Sequence, residues 1–482
     1  DVPDPDDSLE TEIRRFDLAS GDVDVVHETT TFQPQLAVSE GRVAFPYTDP
    51  EAGTMAQTEL HLLDADGGVH AMTARLDRSL SVGLRPTWNG DTLYFGTPDE
   101  GATSLWRIDA PETSGGDSEE PRAVEREPER VRRDEWSSIS GYHVRGDRVA
   151  YVQSAWDHPG DLFAADLDTD ETVRLTECNG DYLAEHAVQE PEEIRYPVGD
   201  GGEEAEDVTC QGWVLTPPDF DPDGSYPLVV EVHGGPHAMW TTSGTMWHEF
   251  QTLAARGYVV FWSNPRGSTG YGETYMQAIE RDWGAVTASD VLAGADEVAE
   301  RPYVDEDQQF VTGGSFGGYM TAWLVGHTDR FTAAVSQRGV YDLSGFYGST
   351  DWAYKLVEDE FDATPWEDPG FLQEQSPTGH AHEVETPTLV LHSDDDYRTP
   401  VCTAELFHRI LRKHGVDTRL VRYPGEGHEL SRSGQPAHVV DRIERITRWF
   451  DGYAADREVP PALERDPDAG LSESEVADES EE

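Results

Sequence analysis

The chain has 482 residues, with 96 Asp and Glu against 35 Lys and Arg, a formal net charge of −61. So acidic a chain offers no basic face for phosphates, so nucleic acid is not an expected partner. It also lacks any run of eighteen apolar residues, so no membrane-spanning helix is expected. A disordered acidic chain is disfavoured as well, because the acids are interleaved with apolar runs such as Leu228-Val229-Val230-Glu231-Val232. The pattern instead suits a halophilic setting, where molar salt screens the self-repulsion. The three cysteines, Cys178, Cys210 and Cys402, are scattered, odd in number and without metal-ligand spacing. Neither a zinc site nor a disulfide framework is expected, which suits a reducing cytoplasm. No secretory leader is visible at Asp1.

In chain order, the first 200 or so residues read as short strands and turns. Three segments are alike, each a glycine turn entering a strand: Gly41-Arg42-Val43-Ala44-Phe45, Gly90-Asp91-Thr92-Leu93-Tyr94-Phe95 and Gly146-Asp147-Arg148-Val149-Ala150-Tyr151. A second strand ending in aspartate follows each, at Asp64, Asp109 and Asp166, and an earlier copy of this second element ends at Asp17. The glycines lie 49 and 56 residues apart, near the period of a four-stranded propeller blade. An ordinary β-sandwich is the competing reading. The longer interval contains 111–135, rich in Glu, Arg, Pro and Ser, which reads as a mobile insertion.

From about residue 207 the pattern changes. Apolar runs at 228–232, 258–262, 310–312, 332–336, 388–392 and 420–423 alternate with helical stretches at 288–298, 403–413 and 439–450. This alternation implies a mostly parallel α/β sheet with helices on its faces. The expected organisation is therefore propeller-like blades over 1–200, an α/β catalytic domain over 207–455, and an acidic disordered tail over 456–482.

The chemistry is concentrated in Gly313-Gly314-Ser315-Phe316-Gly317-Gly318, which follows the run Gln309-Phe310-Val311-Thr312 and precedes the helix-like 319–325. Strand, sharp turn and helix is the context in which G-x-S-x-G forms a nucleophile elbow. The serine needs a base, and in this arrangement acid and base follow it in that order. His428 lies on the Pro424–Gly427 loop after the last strand, where active-site groups of α/β sheets collect. The acid is sought on the loop after 388–392, where Asp394, Asp395 and Asp396 compete and spacing does not rank them. The oxyanion formed by attack needs preorganised donors. One is the N–H of Phe316; the other is expected from His233-Gly234-Gly235-Pro236, which follows the run 228–232.

These residues sit within six motifs: His233-Gly-Gly-Pro236, Asn264-Pro-Arg-Gly-Ser-Thr-Gly-Tyr-Gly272, Asp282-Trp-Gly284, Gly313-Gly-Ser-Phe-Gly-Gly-Tyr-Met320, Asp396-Tyr-Arg-Thr-Pro400 and Gly427-His-Glu-Leu-Ser-Arg-Ser-Gly434. Together they make about 207–453 resemble the prolyl oligopeptidase family of serine peptidases (S9), in particular its acylaminoacyl-peptidase branch. The resemblance implies an α/β-hydrolase fold preceded by a β-propeller, hydrolysis of short peptides through an acyl-enzyme, and no metal or other cofactor. It selects Asp396 as the acid and Gly235 N–H as the second oxyanion donor. It makes Arg398 a ligand of a substrate carbonyl, although Arg398 could equally pair with the neighbouring aspartates. It draws an apolar specificity pocket from Tyr341, Phe346 or Tyr347, for which core packing is the alternative.

The chain departs from the family in two ways. Three repeats and a partial fourth stand where members carry seven blades, so the chain is an internal fragment or its propeller is reduced, and the size filter of the propeller is in doubt. Phe316 also replaces a common tyrosine, which leaves the backbone donor in place. A carboxylesterase or lipase with the same triad, and a non-catalytic propeller binding protein, are the rival readings. A homo-oligomer is compatible with the sequence.

Overall fold

The computed structural model describes residues 9–32, 35–111, 121–169, 171–199, 208–352 and 355–455. The tail 456–482 and residues 112–120 of the expected insertion lie outside them.

Four small sheets form the N-terminal β-rich part. The first pairs Glu10–Phe16 with Val23–Thr30. The second is built on Ala37–Ser39, Arg42–Thr48, Thr58–Leu63 and Val69–Ala71, the third on Thr87–Asn89, Thr92–Asp99, Ala102–Asp109 and Glu129–Arg132. The fourth runs through Ser138–Arg145, Arg148–Ala155, His158–Asp166 and Thr172–Arg174. The three repeat glycines occupy the corresponding hairpin turns: Gly41, Gly90 and Gly146 have φ of 80°, 65° and 63°. Such left-handed backbone matches the twist of tight hairpins and is least strained without a Cβ.

The sheets stack in chain order. Ile13 packs on Phe45 and Leu63 between the first two. Leu60 and Leu62 meet Leu93 and Phe95 between the second and third. Tyr94 and Leu105 meet Val144, Val149 and Tyr151 between the third and fourth. The expected insertion is partly built into these sheets. Arg122–Ala123 extends the second sheet, parallel to Val69–Ala71, and Glu129–Arg132 is the outer strand of the third. Its charged residues have local partners: Glu129 binds Arg107, and Arg130 lies over Trp106 while reaching Asp99.

The second half is one eight-stranded sheet. Its strands are β1 (Glu192–Val198), β2 (Val208–Leu215), β3 (Tyr226–Val232), β4 (Val259–Asn264), β5 (Val304–Gly314), β6 (Ala333–Gln337), β7 (Thr388–Ser393) and β8 (Thr418–Tyr423). The spatial order is β1-β2-β4-β3-β5-β6-β7-β8. The two pairings of β2, to β1 and β4, are antiparallel and the rest are parallel. The sheet therefore begins upstream of residue 207 and inside the region read above as blades. Strand β1 was hidden by its charged residues, yet Ile194, Tyr196 and Val198 alternate onto the same face as Cys210 and Val291.

Both faces of the sheet are covered, which explains the unbroken apolar runs. Leu228, Val230 and Val232 of β3 point to one face, under helices Ala285–Ala299 and Phe316–His327, while Val229 points to the other, under Trp247–Ala255 and Pro436–Tyr453. No helix among the described residues is long and apolar enough to cross a membrane. The parallel strands β3, β5, β7 and β8 end at one edge, and the loops leaving them there carry all the candidate catalytic groups.

Candidate active site

Strand β5 ends at Gly314, the helix Phe316–His327 starts two residues later, and Ser315 between them is held at φ 62° and ψ −119°. A left-handed backbone at a non-glycine residue is strained, and its surroundings must impose it. Here Ser315 N–H donates to Gln337 O at 3.0 Å, and Ser315 O accepts from Tyr319 N–H at 2.9 Å. The flanking glycines serve close approach. A Cβ on Gly317 would lie 2.0 Å from Val232 O, and one on Gly318 would lie 2.3 Å from Gln337 O. The turn is thus wedged between the ends of β3 and β6, and no side chain fits at either position.

Ser315 Oγ lies 3.0 Å from His428 Nε2, and His428 Nδ1 lies 2.9 Å from Asp396 Oδ2. Of the three competing aspartates only Asp396 reaches the histidine; Asp394 is bound by Arg422 instead. The Asp396 carboxylate is buried, with Oδ1 accepting from Arg398 N–H at 3.0 Å and Thr399 N–H at 2.9 Å, and Oδ2 accepting from the Thr399 hydroxyl at 3.0 Å. His392, on β7, braces this turn through Nε2–H to Thr399 O at 2.6 Å.

Burial would push the Asp396 carboxyl up. The hydrogen bond and charge of His428, the charge of His392 and the Thr399 N–H outweigh it, and the carboxyl lies below its ordinary 3.8. Burial likewise disfavours the charged form of His428. Asp396 opposes that effect, Arg338 and Arg432 reinforce it, and the imidazole falls below its ordinary 6.5. At neutral pH the site therefore holds a carboxylate beside a neutral imidazole, the state needed to accept a serine proton.

The loop after β3 backs onto this turn. A Cβ on Gly234 would sit 3.2 Å from Ser315 Cβ and 3.0 Å from Gly314 O, and Gly235 adopts φ 133°. Gly235 and Phe316 thus lie on the two backbone segments that flank Ser315. His237 continues the loop, with Nδ1 2.8 Å from Gly267 O and Nε2 3.0 Å from Glu360 Oε1. The Glu360 carboxylate is fully buried and also accepts from Trp283 Nε1–H at 3.1 Å and from the Thr54 hydroxyl at 2.7 Å. Thr54 belongs to the N-terminal part, so a chain of contacts runs from it to the loop beside the nucleophile.

Arg398 pairs with neither neighbouring aspartate side chain. Its Nε–H donates to Asp351 at 2.6 Å, and its guanidinium lies over Trp352, 4.4 Å from the ring centroid. Tyr341 is fully buried, stacks on Phe407 and shares its hydroxyl with Ser336 and Gly339. Phe346 is likewise in the core. Tyr347 is half-buried, with its hydroxyl on Glu358. His392, Thr399, Glu360 and Arg338 went unread in the sequence. His392 carried a usable signal, a polar residue inside the apolar run that precedes the acid's loop.

Residues 244–457 match the Prolyl oligopeptidase family. The chain is 37% identical over 393 residues to a Bacillus subtilis (strain 168) protein named uncharacterized peptidase YuxL, covering 80% of this chain and 56% of that one. It is 30% identical over 401 residues to a probable dipeptidyl-peptidase 5 of Aspergillus niger, covering 81% and 51%. The chain thus spans about half the length of the curated relatives it matches. Among solved structures, Pyrococcus horikoshii acylaminoacyl peptidase superposes with a TM-score of 0.78 at 22% identity, over 94% of this chain and 70% of that one. A puromycin hydrolase superposes with a TM-score of 0.71 at 21% identity, over 94% and 67%. The fold is therefore shared with these structures, and the segment 244–457, which carries five of the six motifs, matches the prolyl oligopeptidase family of peptidases (S9).

Proposed function

We propose that this chain is a serine peptidase acting on short peptides, with an α/β-hydrolase domain over 192–455 and the stacked N-terminal sheets as part of a β-propeller. The observation that carries this reading is the Ser315–His428–Asp396 chain, with links of 3.0 and 2.9 Å, on three loops at one edge of a sheet of α/β-hydrolase order. Ser315 Oγ attacks the scissile carbonyl and passes its proton to His428 Nε2. Asp396 accepts from His428 Nδ1–H, fixes the tautomer and stabilises the imidazolium. The N–H groups of Phe316 and Gly235 receive the oxyanion. His428 then protonates the leaving amine, and a water activated by the same histidine releases the acyl group from Ser315. Arg398 offers its guanidinium to a backbone carbonyl of the substrate, which requires it to exchange Asp351 for that carbonyl.

Peptides are favoured over simple esters because the relatives that match over four-fifths of the chain are named as peptidases. Ser315→Ala is expected to lower kcat on peptide anilides by about five to six orders of magnitude and to abolish fluorophosphonate labelling. Labelling that persists in the variant overturns the nucleophile. An acetylated aminoacyl anilide, a free dipeptidyl anilide and a simple aryl ester, compared by kcat/KM, separate the substrate classes.

A further inference from the structure

Behind the Ser315 turn lies a cavity of about 30 Å³, whose lining includes Gly234, Gly314, Ser431, Arg338, Arg432 and Arg442. Arg338 is 7% exposed and pairs with no carboxylate among the described residues. Its Nη1–H donates to Ser431 Oγ at 2.5 Å, and its Nε–H has no acceptor. Its guanidinium lies against Gly314, where a Cβ would come within 2.9 Å of Nη2. Arg442, 1% exposed, spends Nη1 on Glu249 at 2.6 Å and on Gln337 at 2.5 Å, leaving Nε and Nη2 without acceptors. Arg432, at the rim, is committed to Glu429. Glu231, next to the last residue of β3, is also buried. Burial and the charge of Glu249 push its carboxyl well up, against the charge of Arg442, so it is a weak source of countercharge. Arg442–Glu249 is thus the one ion pair made by these two buried guanidinium groups among the described residues, and the buried charge of Arg338 has no carboxylate paired with it, which is costly.

We propose that this cavity binds a single halide ion between Arg338 and Arg442, directly behind the catalytic turn. A water needs about 10–15 Å³ of such space, so the cavity has room for a monatomic ion. Water would satisfy the N–H groups but leave the charge. The ion also touches the chemistry. His428 is faced by Asp396, Glu429, His392, Arg338 and Arg432, and a negative charge beside the arginines weakens their opposition to its protonated form.

Crystals of the protein grown in bromide are expected to show an anomalous peak in the cavity; an ordered water with no anomalous signal overturns the site. In assays at constant cation and ionic strength, replacing gluconate by chloride is expected to move the acid limb of kcat/KM upward by about half a pH unit, about a threefold loss of kcat/KM on that limb. Arg338→Gln is expected to remove both effects; a variant that keeps the peak or the halide dependence, or a wild-type limb equal in both salts, refutes the proposal. Should the variant not fold, the bromide peak in the wild-type protein decides. The kinetic arm rests on the proposed role of His428 and the diffraction arm does not, so failure of one reading is distinguishable from failure of the other.

Discussion

At the scale of single residues, the site is a set of opposing electrostatic effects that leave His428 neutral and Asp396 ionised at pH 7. The sign follows from the direction of the shift: an imidazole below its ordinary 6.5 loses its proton at lower pH, so the base form is already dominant near neutrality. The kcat/KM profile in dilute buffer is therefore expected to rise with pH through a midpoint below 6.5 and to be flat by pH 7. A midpoint above 7, read from a full pH series, contradicts this balance. Much of the constellation was legible because each group sits at a strand end with a glycine-rich or aspartate-rich loop. The choice among Asp394, Asp395 and Asp396 was not legible from spacing, because neighbouring loop residues point in different directions: Asp394 goes to Arg422 and Asp396 to His428. Between a pocket and the core, the sequence left Tyr341 and Phe346 open, and both lie in the core, since an aromatic after a strand looks the same in sequence whether it lines a cleft or fills the core.

At the scale of elements, strands buried on both faces announce themselves as apolar runs, and those of β3, β4, β6 and β7 were read within two residues, whereas β5 begins at Val304, six residues before the run read there. Strand β1 was not, since it lies at the sheet edge and alternates apolar with charged residues. The loop from Asn264 to Gly272 shows how a motif becomes a support. Arg266 is clamped by Asp290 of helix Ala285–Ala299, through Nε–H at 2.9 Å, Nη2–H at 2.6 Å and its own backbone N–H at 2.9 Å. Gly267 O then accepts from His237, and Ala238 O accepts from Thr269 N–H, so the clamp holds the loop that carries Gly235. Asp290 is fully buried, and removing one partner of such a pair leaves a buried charge alone. Asp290→Ala is expected to cost about 3–5 kcal/mol in denaturant unfolding. Asp290→Asn, which keeps an acceptor for the Arg266 N–H groups, is expected to recover part of that loss. Equal losses in the two variants would show that the charge of the carboxylate, which Asn lacks, rather than its acceptor oxygen or its volume, holds the clamp.

At the scale of the whole molecule, the net charge of −61 sets the conditions under which the fold is stable. Screening shortens from a Debye length of about 10 Å at 0.1 M salt to about 3 Å at 1 M, and the repulsion falls with it. The urea midpoint is therefore expected to rise steeply between dilute buffer and molar potassium chloride; a midpoint independent of salt rules out self-repulsion as a controlling term. The Glu360 carboxylate adds a different constraint on the whole. It is shielded on one side by His237 and Trp283 and on the other by Thr54. Lifting the β-rich part away hydrates that carboxylate and weakens its grip on His237, the residue two beyond Gly235. Docking of the β-rich part and order in the loop that carries Gly235 are thus linked through one buried carboxylate: whatever favours separation of the two halves also loosens that loop, and whatever orders the loop favours their contact.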